Sequence, residues 1–167
     1  MKQRPTLPTF GEIVPGEGGR LGAIMRGHVI DGVREPDYAV IVPDIAAVSM
    51  PWGTRGQQVN GADSLTDGLR NTQAMLKTQC RAALHAATLR TEDGHDELYL
   101  PARGELWALR ANVPELFDKA WHWSSTQDSP YFAFAQDFEL GFSYCSSKDH
   151  AWRVRAVRRI PLQHFTA

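Results

Sequence analysis

The hydrophobic pattern of the first fifty residues predicts short β-strands. Leu21–Met25 is a short apolar run, and Tyr38–Val42 is rich in β-branched residues. The segment between them carries Gly32 and Pro36, which favour a hairpin loop. Ile45–Met50 is a further short apolar piece, closed by a proline.

The segment before these strands, residues 1–19, is rich in Pro and Gly and predicts an extended arm, followed by a single domain over residues 20–167. Phe10, Ile13 and Val14 give the arm apolar side chains that can anchor it on a neighbouring subunit or a larger assembly. The alternative is a terminus without a docking role.

Two helices are predicted in the middle of the chain. The loop Trp52–Gly68, which is rich in Gly and Asp and contains the turn dipeptide Asn60-Gly61, is followed by Asn71, a candidate N-cap for a helix over Thr72–Leu89. A second helix is predicted over Arg103–Val113, before Pro114. The buried face of the first helix is expected to contain the residues spaced i, i+4, i+7 and i+11, namely Leu76, Cys80, Ala83 and Ala87.

The last third of the chain has the alternation of β-strands. Tyr131–Phe138 alternates aromatic with small or polar residues, Gly141 marks a turn, and Phe142–Ser146 is expected to pair back. Trp152–Arg159 is predicted to be the closing strand. Because strands and helices are segregated along the chain, the fold class is α+β with a mainly antiparallel sheet.

Composition excludes several classes of function. With 43% hydrophobic residues, 22% charged residues and a formal net charge of −1, a packed core is expected, without a general attraction to nucleic acid or anionic membranes. No apolar run approaches the roughly 20 residues of a membrane span. The polar start Met1–Pro5 does not predict a signal peptide, so Cys80 and Cys145 are expected to be free thiols in a protein folded in the cytoplasm.

No catalytic motif stands out. The segment Trp123–Thr126 lacks the glycines of a nucleophile elbow, so Trp123 is expected in the core, with Ser124 satisfying backbone groups in an irregular turn. The six histidines are scattered, and neither a metal site nor a cofactor is predicted. One or both of the acids Glu105 and Asp137 are instead expected to form ion pairs that join helix to sheet. Their expected partners are the arginines of the closing strand, Arg153, Arg155, Arg158 and Arg159.

Five short motifs follow one another along the chain. In order they are DGLRNT (67–72), LPARGEL (100–106), WSST (123–126), the aromatic strand (131–138) and VRAVRR (154–159). Over about residues 15–160, this arrangement resembles the phage virion branch of the Lcl C-terminal-type, or DUF1566-type, domain family. The resemblance implies a C-type-lectin-like fold with two helices. It departs at Ala102, where many relatives carry Ser or Thr, and it lacks both the calcium-dependent sugar motifs of true lectins and the cysteine pair of formylglycine-generating enzymes.

In receptor-binding proteins of this fold, the late hairpin region displays contact residues. Here that region supplies a candidate ligand or partner surface: Tyr131, Phe134, Gln136, Phe142, Tyr144, Lys148, His150 and Trp152. An alternating strand buries one face, so part of this set is alternatively core.

The expected function is that of a non-enzymatic phage virion protein on the tail, baseplate or fibre, assembled in the host cytoplasm. It would bind a host-surface glycan or protein, or neighbouring virion proteins, as a homo-oligomer with a trimer as the default expectation. The alternatives are a structural capsid-decoration or tail-assembly protein, a bacterial surface adhesin domain, and an enzyme acting on protein or glycan. Neither nucleic-acid binding nor membrane insertion is expected.

Overall fold

The computed structural model describes residues 4–165, and within this range the chain is an α+β protein with three helices. The helices are α1 (Gly68–Lys77), α2 (Arg81–Thr88) and α3 (Arg103–Asn112). The strands are β1 (Ile13–Val14), β2 (Gly19–Met25), β3 (Val29–Ile30), β4 (Val33–Arg34), β5 (Tyr38–Pro43), β6 (Val48–Met50), β7 (Trp121–Gln127), β8 (Phe132–Asp137), β9 (Ser143–Ser147), β10 (Trp152–Val154) and β11 (Arg158–Pro161).

The described strands form two main sheets and a small ribbon. One sheet has four strands in the order β1-β2-β5-β11 and is antiparallel. The other has five strands in the order β6-β10-β7-β8-β9, antiparallel except where β10 meets β7. The ribbon β3–β4 turns at Asp31 and Gly32, which both have positive φ. The predicted α+β class with mainly antiparallel sheets is therefore confirmed.

Helix α3 contacts both sheets. Its apolar residues Leu106 and Leu109 are buried against the four-stranded sheet, as their spacing predicts. Its first residue, Arg103, lies over the ring of Phe134 in the five-stranded sheet. On the opposite face of that sheet, Ala133 and Ala135 pack in the core that contains α1 and α2. The five-stranded sheet is thus covered on both faces.

The predicted single helix over Thr72–Leu89 is wrong, because the chain forms two helices there. The break lies at Gln79, whose φ of 57° is left-handed and cannot continue an α-helix. A break shifts the phase of the second helix, so Ala87 is exposed although it was predicted to be buried. The apolar residues that α1 and α2 bury are Met75, Ala82, Ala83 and Ala86.

The N-cap prediction is also wrong. Helix α1 begins at Gly68 and is capped by Asp67, whose carboxylate accepts the backbone N–H of Arg70 at 3.1 Å. Asn71 lies inside the helix and is fully buried, where its side chain binds the backbone of Ser64.

Two strand predictions need correction. The WSST segment is not an irregular turn but the middle of β7, with a register irregularity between Trp123 and Gln127. The predicted closing strand is two strands, because β10 belongs to the five-stranded sheet and β11 to the four-stranded sheet. Between them the chain crosses from one sheet to the other, held by an antiparallel bridge between Val157 and Tyr99.

Part of the predicted arm folds back onto the domain. Ile13 and Val14 pair with Arg20 and Gly19, and Val14 is buried in the chain's own core. Val14 is therefore not free to anchor the chain elsewhere, whereas Phe10 and Ile13 are exposed and their anchoring role stays a prediction. The first three residues of the predicted arm lie outside the described range.

Candidate functional site

A buried carboxylate lies where α1, α3 and the four-stranded sheet meet. The side chain of Glu105 is fully buried. Its Oε1 accepts the backbone N–H groups of Gly68 at 2.8 Å and Ala102 at 3.0 Å. Its Oε2 accepts the hydroxyls of Tyr38 at 3.0 Å and Tyr99 at 2.6 Å. One carboxylate thus satisfies N–H groups at the starts of two helices and joins them to two tyrosines.

Arg159 of β11 provides the positive charge of this cluster. Its Nη2 lies 3.7 Å from Glu105 Oε2 and 3.1 Å from Asp67 Oδ1, and its guanidinium stacks 4.2 Å above the Tyr38 ring. Burial raises the pKa of Glu105, whereas Arg159 and the hydroxyl of Tyr99 lower it. The predicted pairing of the helix acid with a closing-strand arginine is therefore confirmed for Glu105 and Arg159.

Asp137, the other candidate acid, does not take part in this pairing. Its carboxylate accepts the backbone N–H groups of Glu139 at 3.0 Å and Leu140 at 2.9 Å. These bonds stabilise the turn that leads from β8 to β9. The backbone donors lie two and three residues along the chain and reach the carboxylate without any long-range contact.

The other three arginines named for the closing strand have separate partners, and Arg153 forms an ion pair with Asp118 at 3.3 Å. Arg158 forms an ion pair with Glu17 at 3.0 Å, which joins β11 to the turn after β1. Arg155 donates to the carbonyl of Leu116 at 3.3 Å and lies over the ring of Phe117. Arg155 and Arg158 are structural, as predicted, although neither contacts the expected acids.

Four of the five short motifs named in the sequence analysis meet around this cluster. The hydroxyl of Thr72 accepts the backbone N–H of Leu100 at 3.0 Å, and the backbone N–H of Ser125 donates to the carbonyl of Pro101 at 2.8 Å. The missing cap at Ala102 is replaced from β7, because Thr126 Oγ1 accepts the N–H of Arg103 at 3.0 Å. DGLRNT, LPARGEL, WSST and VRAVRR therefore form one hydrogen-bonded network.

Trp123 and Ser124 have the structural roles that the sequence predicts, although in a strand. Trp123 is fully buried, and its Nε1 donates to the carbonyl of Met50 at 2.9 Å. Ser124 Oγ donates to the carbonyl of Phe134 at 2.7 Å. The serine hydroxyl is thus engaged with the backbone of the neighbouring strand.

A row of aromatic rings runs across the five-stranded sheet, and we call it the aromatic row. It contains Phe142, Tyr144, Trp121, Trp152 and His150, with successive ring centroids 5.9, 5.9, 6.1 and 5.4 Å apart. Phe142 is 49% exposed and Tyr144 is 59% exposed. The row thus presents large apolar rings to solvent at the margin of the core.

Ser146 orders one end of the aromatic row. Its Oγ accepts the indole N–H of Trp152 at 2.7 Å and lies 3.0 Å from Nδ1 of His150. Trp121, which was not among the predicted contact residues, is also a member of the row. The sequence signal for its position was its spacing of two from Trp123, which puts both indoles on one face of a strand.

Two members of the predicted contact surface are buried and do not belong to it. Gln136 is 3% exposed and Lys148 is 0% exposed. The Lys148 ammonium donates to the Gln57 carbonyl at 2.8 Å and to Gln127 Oε1 at 2.7 Å, and it lies over the ring of Trp52. Burial lowers the pKa of Lys148 to about 8. Lys148 was predicted to belong to the contact surface, but these buried acceptors hold it inside the protein.

The remaining predicted residues lie apart from the aromatic row. Tyr131 is 48% exposed, and the guanidinium of Arg55 lies over its ring, 5.0 Å from the ring centroid. Phe134 is half-buried beneath Arg103, which also lies over the exposed ring of Trp107. The predicted surface is therefore divided between the two faces and the end of the sheet.

Among residues 4–165 there is no group of three or more His, Cys, Asp or Glu side chains placed to hold a metal ion. No helix in the described part of the chain is long and apolar enough to cross a membrane. Cys80 is buried and Cys145 is exposed, and both are free thiols as predicted. No protein-family profile matches the chain, and no curated protein matches it significantly.

Proposed function

We propose that the chain is a non-enzymatic phage virion protein with a C-type-lectin-like domain of the DUF1566 type, associated with the tail, baseplate or fibre. The ordered motifs support this assignment. They lie in one buried network around Glu105, as expected for residues that define a fold rather than a reaction. The function is then expected elsewhere, on the exposed surface.

The exposure of the aromatic row is the observation that supports the proposed binding role. Aromatic side chains bury a large area with few rotatable bonds, and they are enriched at the centres of protein interfaces. The row combines the exposed rings of Phe142 and Tyr144 with polar groups of Ser146 and His150. It is the surface we assign to contact with the host or with a neighbouring virion protein.

A non-enzymatic role is supported by the burial of Glu105 and Tyr99, which keeps both groups from solvent. Glu105 and Tyr99 have the chemistry of an acid–base pair, but they are 0% and 1% exposed. Every oxygen of the Glu105 carboxylate already accepts hydrogen bonds from the chain itself. A substrate would have to displace these partners before it could reach the carboxylate.

The virion assignment is tested on purified particles of the phage that encodes the chain. We expect the protein to remain with particles through a density gradient, as measured by quantitative mass spectrometry. Antibody labelling in electron micrographs should then place it on the tail. A protein found only in the unassembled lysate fraction would contradict the proposal.

The binding role is tested with a double variant of the aromatic row, Tyr144→Ala with Trp152→Ala. We expect its affinity for host cells or for particles lacking the protein to fall by at least about ten-fold, because contact-centre aromatics contribute 2 kcal/mol or more, by order of magnitude. Trp107→Ala is the matched control, since Trp107 is also exposed but lies on α3. Equal binding by the double variant and wild type would show that the row is not the contact. Binding to particles but not to cells would favour the structural alternative.

A further inference from the structure

Strand β9 is a sheet edge without the usual protection against pairing. Exposed edges are normally short, or carry charges or proline. Strand β1 has two residues before Pro15, β6 has three residues before Pro51, and β11 contains Arg158 and ends at Pro161. By contrast, β9 with the preceding phenylalanine, residues 142–147, contains neither a charged residue nor a proline.

The register shows which backbone groups of this edge are open. The N–H of Asp137 donates to the carbonyl of Phe142, and the N–H of Lys148 donates to the carbonyl of Tyr131. Hydrogen-bonded residues alternate along an antiparallel pair, so residues 142, 144, 146 and 148 face β8. The residues whose backbone groups point away from β8 are therefore Ser143, Cys145 and Ser147, of which the Ser147 carbonyl already accepts the N–H of His150 at 3.0 Å.

We infer that β9 pairs antiparallel with β9 of a second copy of this chain, with a two-fold axis at Cys145. A row of outward N–H and C=O groups is satisfied by another extended strand. Because β9 itself is neutral, the two strands bring no like charges of their own into opposition, and the nearest acid to Cys145 is Asp128 of the neighbouring loop. In this register Cys145 lies opposite its own copy, and Ser143 lies opposite Ser147. Apart from the two Ser147 carbonyls, the isologous pairing forms about four backbone hydrogen bonds and joins the two five-stranded sheets.

The pairing does not depend on the proposed function, but it changes the surface available for it. A two-fold axis between antiparallel strands is perpendicular to the sheet, so the same face of both copies lies on the same side. Tyr144 of each copy then approaches the axis from opposite sides. The two aromatic rows become one longer surface, with both Tyr144 side chains at its centre.

Sedimentation equilibrium of the purified protein tests the pairing. We expect a reversible dimer for the wild type, and for Cys145→Lys a dissociation constant at least about ten-fold higher, because two like charges then face each other. Circular dichroism verifies that the variant is folded. Leu84→Lys is the control, since Leu84 is exposed on α2, and it should dimerise like the wild type. A wild type that stays monomeric or forms trimers, or a Cys145→Lys variant with an unchanged dimer, would overturn the inference.

A disulfide cross-link reports the register. Directly opposed residues in a hydrogen-bonded pair have Cα atoms about 5.5 Å apart, which is within reach of a disulfide. With diamide as oxidant, two Cys145 thiols lose two protons and two electrons and form a covalent dimer. Cys145→Ser should dimerise reversibly without the cross-link. A wild-type dimer that cannot be cross-linked at Cys145 would exclude this register. Host or particle binding by Cys145→Lys, which retains Tyr144 and Trp152, separates a failure of the pairing from a failure of the proposed function.

Discussion

Replacement of Glu105 by alanine is the most informative test of what holds this fold together. The substitution leaves the backbone N–H groups of Gly68 and Ala102 and the hydroxyls of Tyr38 and Tyr99 without their acceptor. Each buried donor left unsatisfied costs roughly 1–3 kcal/mol. Removing one partner of a buried ion pair costs roughly 3–5 kcal/mol.

These costs are not additive, because the remaining groups can rearrange. The two tyrosine hydroxyls can bond to each other, and Arg159 keeps Asp67 at 3.1 Å. We therefore expect the free energy of unfolding to fall by about 4 kcal/mol, the middle of the range for a broken buried pair. For a domain of this size, 1 kcal/mol corresponds to roughly 2–4 °C in melting temperature. The expected decrease is then about 8–16 °C, measured by calorimetry and checked by urea unfolding.

Two further variants separate charge from shape. Glu105→Gln keeps the volume and can still accept the two backbone N–H groups, but it presents an amide nitrogen to Arg159. We expect it to lose about 2 kcal/mol, about half of the alanine effect. Glu139→Ala removes an exposed carboxylate and should change stability by no more than about 0.5 kcal/mol. A melting temperature for Glu105→Ala within 2 °C of wild type would refute the proposed role of the cluster.

Two other perturbations test separate parts of the fold. Burial lowers the pKa of His122 to about 4, below its unfolded value, so its stabilising neutral form is fully present above pH 6.5 and is lost as pH falls towards 4. Urea unfolding at pH 7 and 4.5 should show a loss approaching roughly 3 kcal/mol from this residue, which His122→Phe should abolish. Thr126→Val removes the acceptor for the N–H of Arg103 and should cost about 1–2 kcal/mol in the same assay. Thr88→Val, at an exposed hydroxyl, should cost no more than about 0.5 kcal/mol, and equal losses in the two threonine variants would contradict the capping role.

The elements that the sequence predicts well are those with strong local signals. The β-branched run at Tyr38–Val42 and the apolar spacing at Leu106 and Leu109 specify a strand and a helix without reference to the rest of the chain. The alternation around Ala133 and Ala135 likewise identifies β8 as a strand, although it does not show which face is buried. In each case one periodicity decides between helix and strand.

The elements that sequence analysis missed depend on tertiary contacts. Gln79 adopts a left-handed conformation that usually favours glycine, so its residue type does not predict the helix break. The neighbouring Cys80 is buried in the core. The crossing of the chain between β10 and β11 depends on the bridge from Val157 to Tyr99. Hydrophobic alternation continues through both strands, so periodicity alone does not reveal the change of sheet. The burial of Lys148 depends on acceptors about 20 and 90 residues away in the chain.

In the candidate site too, some residues have the partners that were predicted and others do not, for a physical reason. Glu105 was assigned a buried arginine partner because a buried carboxylate needs several donors, and the helix and closing strand are long-range neighbours that can supply them. Asp137 was the other candidate for such a pair, but a carboxylate at the end of a strand can be satisfied by the N–H groups of the turn that follows. The network around Glu105 tolerates few substitutions, because each partner is buried and unpaired groups are costly there. Tyr144 and Phe142 are half-exposed, so their replacement is expected to lower the free energy of unfolding less than replacement of Glu105. Substitutions in the aromatic row therefore alter the exposed surface while the cluster around Glu105 keeps the fold.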